Sequence, residues 1–108
     1  MTRMFNPPHP GGLLAEGLEY LGFSARQFAK HIGVAPSTVT RILKEESPIT
    51  PEMAVRISAA ISGPRPETWL AMQADYDAWQ AEHSVDISRI TRISEPQKNH
   101  PQDRKSTR

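Results

Sequence analysis

Prolines and glycines cut this 108-residue chain into short pieces. Pro10, Pro36, Pro51 and Pro66 each stand where an apolar pattern of helical spacing begins. Proline suits that place, because its fixed φ fits a first helical turn and its missing N–H would have no partner there. Gly22, Gly33 and the Gly63-Pro64 pair stand where the patterns stop, as glycine does at left-handed helix ends. The punctuation predicts an all-α chain of five short helices.

The first helix starts at Pro10, capped by His9, which the following proline pushes out of helical backbone. Leu14, Leu18 and Leu21 recur along it at helical spacing, and Gly22 stops it. Ser24 and Gln27 form a capping-box pattern for a second helix. Its apolar stripe is Phe28, Ala29 and Ile32, and Gly33 ends it after two turns. A third helix runs from Pro36 to about Lys44, with Val39, Ile42 and Leu43 facing inward. Thr50 caps a fourth, whose core face is Met53, Ile57, Ala60 and Ile61 and which ends at Gly63-Pro64. A fifth runs from Pro66 to about Glu82 with Trp69, Met72, Tyr76 and Trp79 along one stripe. The boundaries are an extended arm over 1–9, a domain over 10–83, and a largely flexible tail over 84–108. Within the tail, Ile87, Ile90 and Ile93 keep a helical spacing of three, while Val85 and Ile87 alternate as in a strand.

Composition narrows the class. Hydrophobic residues make up 37% of the chain, with two tryptophans, which suits one small helical core. There is no cysteine, which excludes disulfides and thiolate metal sites and agrees with a reducing cytoplasm. No run of 18 apolar residues and no secretory pattern is present, so the expectation is a cytoplasmic protein with no membrane segment. Net charge is +1, but it is unevenly spread. Glu67, Asp75, Asp77 and Glu82 lie in the fifth helix with no Lys or Arg among them, whereas the tail carries Arg89, Arg92, Lys98, Arg104, Lys105 and Arg108.

Residues 24–44 carry the functional signal. Two short helices joined by Gly33, Val34 and Ala35 cross steeply only with a small residue at the crossing, here Ala29. They also need a residue tolerant of positive φ in the turn, here Gly33, and apolar residues facing back, here Val39 and Ile42. A small residue, glycine four later, and apolar residues six and nine after that match a helix-turn-helix. The pattern leaves Ser37, Thr38, Thr40, Arg41 and Lys44 outward on the third helix, with Pro36 at its start and Arg26 and Gln27 on the second. Hydroxyls and open N–H groups at a helix start donate to phosphate, and Arg41 has the reach for a guanine edge or a phosphate. The plain alternative is a solvated helix face.

No other chemistry competes. His9, His31, His83 and His100 form no ligand-spaced cluster, so no metal and no cofactor is expected. Gly11-Gly12 lacks the lysine and serine of a phosphate loop. No nucleophile turn is visible, and no catalysis is assigned. Along the aromatic stripe, Trp69 and Met72 read as core. Tyr76 and Trp79 read as shared burial at a two-fold interface, because so small a domain has trouble covering all four alone.

Four stretches carry a family resemblance: Pro8 to Leu14, Ser24 to Leu43, Pro48 to Ala54, and Pro66 to Leu70 continuing through Tyr76 to Trp79. Over residues 7–82 the chain resembles the HigA-type antitoxins of the XRE (lambda-repressor-like) helix-turn-helix family. The resemblance implies a five-helix domain that forms a homodimer and binds double-stranded DNA at an inverted-repeat operator in its own promoter. It also implies a cognate HigB-like toxin, an mRNA endonuclease of RelE-like fold. The alternatives are a stand-alone XRE regulator and a protein-interaction module that no longer binds DNA. Three positions depart from the family pattern. Ala25 replaces a glutamine. Ala35 replaces a capping serine, with Ser37 expected to take over part of that role. Glu45 and Glu46 replace a glycine turn with a basic neighbour, an edge expected to repel phosphate and make affinity salt-dependent.

Overall fold

The computed structural model describes residues 6–97. Five helices follow one another: α1 (Pro10–Leu21), α2 (Ala25–Ile32), α3 (Pro36–Leu43), α4 (Pro51–Ala60) and α5 (Pro66–Ser84). No strand occurs among the described residues. The fold is all-α and lambda-repressor-like.

Local chemistry sets most boundaries. The His9 ring is buried, and its Nδ1 accepts the Gly11 N–H at 2.9 Å, so it caps α1 with a ring nitrogen. At the other end, Gly22 (φ 79°) takes the left-handed conformation and the Phe23 N–H reaches back to the Leu18 carbonyl at 2.9 Å. Both halves of the α2 capping box are formed. Ser24 Oγ accepts from Gln27 N at 3.1 Å, and Gln27 Oε1 accepts from Ser24 N at 2.8 Å. Thr50 Oγ1 accepts from Met53 N at the start of α4.

The core lies where α1, α2, α3 and α4 meet, closed by α5. Leu14, Ile42, Ile49 and Ile57 are fully enclosed. α1 crosses α3 at backbone distance, because a Cβ on Gly11 would overlap the Ile42 carbonyl. Gln73 is buried in α5. Its Oε1 accepts the Ile49 N–H at 2.7 Å and its Nε2 donates to Asp77 at 3.0 Å, fixing the α3–α4 loop to α5.

Several expectations need correction. Leu21 follows Leu14 and Leu18 along the same face but is exposed, because it stands at the last residue of α1, beyond the core that those two enter. Leu43 is only half-buried at the last turn of α3. α4 ends at Ala60, with Ile61 already extended, before Gly63-Pro64. α5 runs on to Ser84. Of its stripe, Trp69 is buried and Met72 packs half-buried against the core, as expected, while Tyr76 and Trp79 are half-buried. Residues 85–97 form neither helix nor strand, and Val85, Ile87, Ile90 and Ile93 are exposed. There Asp86 accepts the Ser88 N–H, which holds its carboxyl below the usual range. Residues 1–5 of the expected arm and 98–108 of the expected tail lie outside the described residues.

Candidate nucleic-acid interface

The α2–turn–α3 unit is built around side chains too small or too apolar to do anything but pack. Ala29 and Val39 have no exposed surface, and Phe28, Ile32 and Ile42 close around them. Gly33 (φ 80°) makes the turn, with its own N–H and that of Val34 both held by the Ala29 carbonyl. Arg56 then locks the unit onto α4. Its Nη1 donates to the Ile32 carbonyl at 2.6 Å, and its Nε and Nη2 grip Glu52 at 3.1 and 3.0 Å. A guanidinium thereby satisfies a carbonyl at the C-terminal end of α2, where a positive charge is favoured.

Packing one side of α3 this way leaves the other to solvent. Pro36, Ser37, Arg41 and Lys44 are exposed, and Thr38 and Thr40 are half-buried on the shoulders of the same face. Lys44 is the C-cap, one residue beyond the helix. Arg26 and Gln27 are exposed on the first turn of α2. The carbonyl oxygen of Gln27 is held by the capping box, so it is the NH₂ end that can donate to a phosphate. Exposed cations, hydroxyls and amide donors thus share one side of the unit, with no acid on α2 or α3.

The start of α3 is uncapped. Ala35 is the N-cap residue and no side chain bonds to the first turn, so Ser37 does not take over that role. Its hydroxyl lies two residues inside the helix, past the place from which a cap bends back. Pro36 has no N–H and the Thr38 N–H bonds the Ala35 carbonyl, which leaves the Ser37 amide as the open donor beside its own hydroxyl. That pair is suited to one anionic oxygen.

Glu45 and Glu46 stand at the other end. Glu45 takes φ 64°, and the Glu46 and Glu45 N–H groups reach back to the Arg41 and Ile42 carbonyls at 2.8 and 2.9 Å. This is the turn that a glycine usually makes. The Glu45 carboxylate folds against the first turn of α1, 3.5 Å from where a Cβ on Gly12 would lie. α1 has no acid of its own in that turn, so this carboxylate meets the positive end of a helix dipole rather than reaching beyond Lys44.

Sequence reasoning missed Arg56 and Gln73, which bond across 24 residues to backbone groups. Only a buried polar position within an otherwise apolar face would have marked Gln73, and Arg56 reads as an ordinary partner of Glu52. Tyr76 and Trp79 lie one turn apart on α5. Tyr76 meets the His9 ring edge-on at 4.8 Å, and Trp79 stacks on His83 at 3.9 Å. Among the described residues no three His, Asp or Glu side chains are grouped to hold a metal ion, and no helix is long and apolar enough to cross a membrane.

Comparison with known proteins agrees with this geometry. Residues 14–67 match the helix-turn-helix family model. The chain is 41% identical over 91 residues to the uncharacterized HTH-type transcriptional regulator YddM of Escherichia coli K12, covering 84% of this chain and 96% of that one. A solved addiction module antidote protein of the HigA family from Coxiella burnetii superposes with a TM-score of 0.72 at 35% identity, covering 83% of this chain and all of that one. The Pseudomonas aeruginosa antitoxin HigA, solved with the higBA promoter, superposes with a TM-score of 0.63 at 27% identity, covering 74% and 96%. The matched family is one of DNA-binding regulators, not of enzymes. The chain belongs to the XRE helix-turn-helix family, in its HigA-type antitoxin branch.

Proposed function

We propose that this protein is the antitoxin of a type II toxin–antitoxin pair. It binds an inverted-repeat operator as a homodimer, represses its own promoter and neutralises a HigB/RelE-like mRNA endonuclease. The observation that carries the DNA reading is the face of α3, where Ser37, Thr38, Thr40, Arg41 and Lys44 share one side of a helix whose other side packs into the core through Val39 and Ile42. α3 enters the major groove. The Ser37 amide and hydroxyl take a phosphate, Arg41 reads a base edge, and Arg26, Gln27 and Lys44 hold the flanking backbone.

The homodimer forms along α5. Tyr76 and Trp79 are half-buried in one chain, and a second copy covers what the first leaves open. Two copies set their α3 helices about one DNA turn, roughly 34 Å, apart. The toxin meets the acidic face of α5, because an RNA-cleaving partner carries positive charge for its own substrate. Support comes from the HigA-family relative whose name describes an antidote and from the one solved with its promoter. A stand-alone regulator is the second reading, favoured by the similarity to YddM.

Binding of a labelled duplex from the region upstream of the gene, followed by fluorescence anisotropy, tests the DNA role. Arg41→Ala should weaken it by about 1–3 kcal/mol while leaving non-specific binding nearly unchanged. Equal affinity of the two proteins removes Arg41 as a reader. Co-purification of a small basic protein encoded beside this gene, whose mRNA cleavage stops when this chain is added, separates antitoxin from stand-alone regulator.

A further inference from the structure

α1 and the α4–α5 connection enclose an apolar groove of about 330 Å³. Leu13, Tyr20, Ile61, Pro64 and Trp69 line it, with Glu16 as its carboxylate. Tyr20 is 89% exposed there. Gly17 lies on the groove in the middle of α1, and a Cβ on it would meet nothing within 4 Å. A mid-helix glycine costs about 1 kcal/mol against alanine. No contact among the described residues accounts for it, and it leaves the α1 wall of the groove open. Trp69 closes the groove at its α5 end, its indole N–H buried beneath with no acceptor among the described residues.

The same protein carries a segment with the matching chemistry. Val85, Ile87, Ile90 and Ile93 follow α5 and are all exposed, Ile93 to 85%. Arg89 and Arg92 lie between them. The groove is apolar with a carboxylate, and the segment is apolar with guanidinium groups.

We infer that residues 85–93 of one copy dock into the α1/α5 groove of a second copy. This rests on the α5 homodimer proposed above, whose geometry selects the second copy over the chain's own groove. A two-fold axis between Tyr76 and Trp79 runs the two α5 helices antiparallel. Val85, between seven and eight residues past the axis, then falls beside the partner's α5 at the level of position 70, next to the groove. In its own chain, Val85 starts about 24 Å from Trp69 along α5, pointing away from it. Nine residues in extended form span about 30 Å, enough to pass Trp69 and run along α1 over Gly17. The tail places Ile87 and Ile90 on the groove floor and Arg89 or Arg92 at Glu16. The dimer interface thereby continues from the aromatic stripe of α5 onto α1.

The absence of cysteine makes the test direct. Full-length Gly17→Cys and Ile90→Cys proteins are purified separately, mixed, allowed to exchange subunits and oxidised, with mass measured by light scattering before oxidation. The expected result is a dimer with a dominant disulfide joining position 17 of one chain to position 90 of the other. This mixed product should exceed the two symmetric products, 17 to 17 and 90 to 90, at least about tenfold. A dimer without the mixed cross-link overturns the docking and leaves the α5 interface standing. A monomer overturns both. A single chain bearing both substitutions that closes on itself, with no mixed product, assigns the groove to its own tail and overturns the exchange. Ile87→Asp with Ile90→Asp, which alters only exposed residues, should leave helix content unchanged and raise the dimer Kd about tenfold or more. An unchanged Kd contradicts the proposal.

Discussion

Glu45 holds a backbone conformation that glycine adopts at lower cost, because its Cβ crowds the neighbouring carbonyl at φ 64°. Its carboxylate at the first turn of α1 offsets part of that cost. Comparing Glu45→Gly with Glu45→Ala cancels the carboxylate and isolates the backbone. Urea unfolding should find the glycine variant more stable by about 1 kcal/mol, and equal stabilities would mean that the left-handed turn is not populated in solution. Gly11 poses the opposite constraint, a steric one. A methyl group there overlaps the Ile42 carbonyl, so Gly11→Ala must push α1 off α3 and should cost about 1–3 kcal/mol. The Ile42 carbonyl also accepts the Glu45 N–H, so the displacement reaches the end of the recognition helix.

The helices themselves were legible because their ends are chemical. His9, Ser24 and Thr50 cap through their own side chains, Gly22 and Gly33 turn left-handed, and prolines open four of the five helices. The face of α3 was legible because Ala29, Gly33, Val39 and Ile42 leave it one way to pack. The ties between helices were not. Gln73 and Arg56 act on the Ile49 N–H and the Ile32 carbonyl, each 24 residues distant, and no local pattern announces such a bond. Gln73→Leu fills the same space but strands a buried N–H. It should cost about 1–3 kcal/mol, measured by thermal or urea unfolding, and no loss would mean that water reaches the Ile49 amide. The end of α4 was misplaced for a related reason. Ile61 turns extended before the glycine arrives and packs against the core, and that choice is made by tertiary contact rather than by local propensity.

At the scale of the whole molecule, one chain presents a single recognition helix of eight residues, about 12 Å long, enough to touch one half-site. Two half-sites need two chains, and we propose the half-buried Tyr76 and Trp79 stripe as the surface that joins them. Trp79→Asp should therefore give a folded monomer whose operator affinity falls by about a hundredfold or more, since the second half-site no longer binds as an intramolecular event. Sedimentation and anisotropy on the same sample check both statements. Reading of DNA sequence by a dimer of this chain is the property on which the proposed function depends. Selection of bound duplexes from a random pool at near-physiological salt tests it most directly. A dimeric reader should enrich an inverted repeat with half-sites about ten base pairs apart. Weak, salt-sensitive retention with no sequence enriched would contradict it.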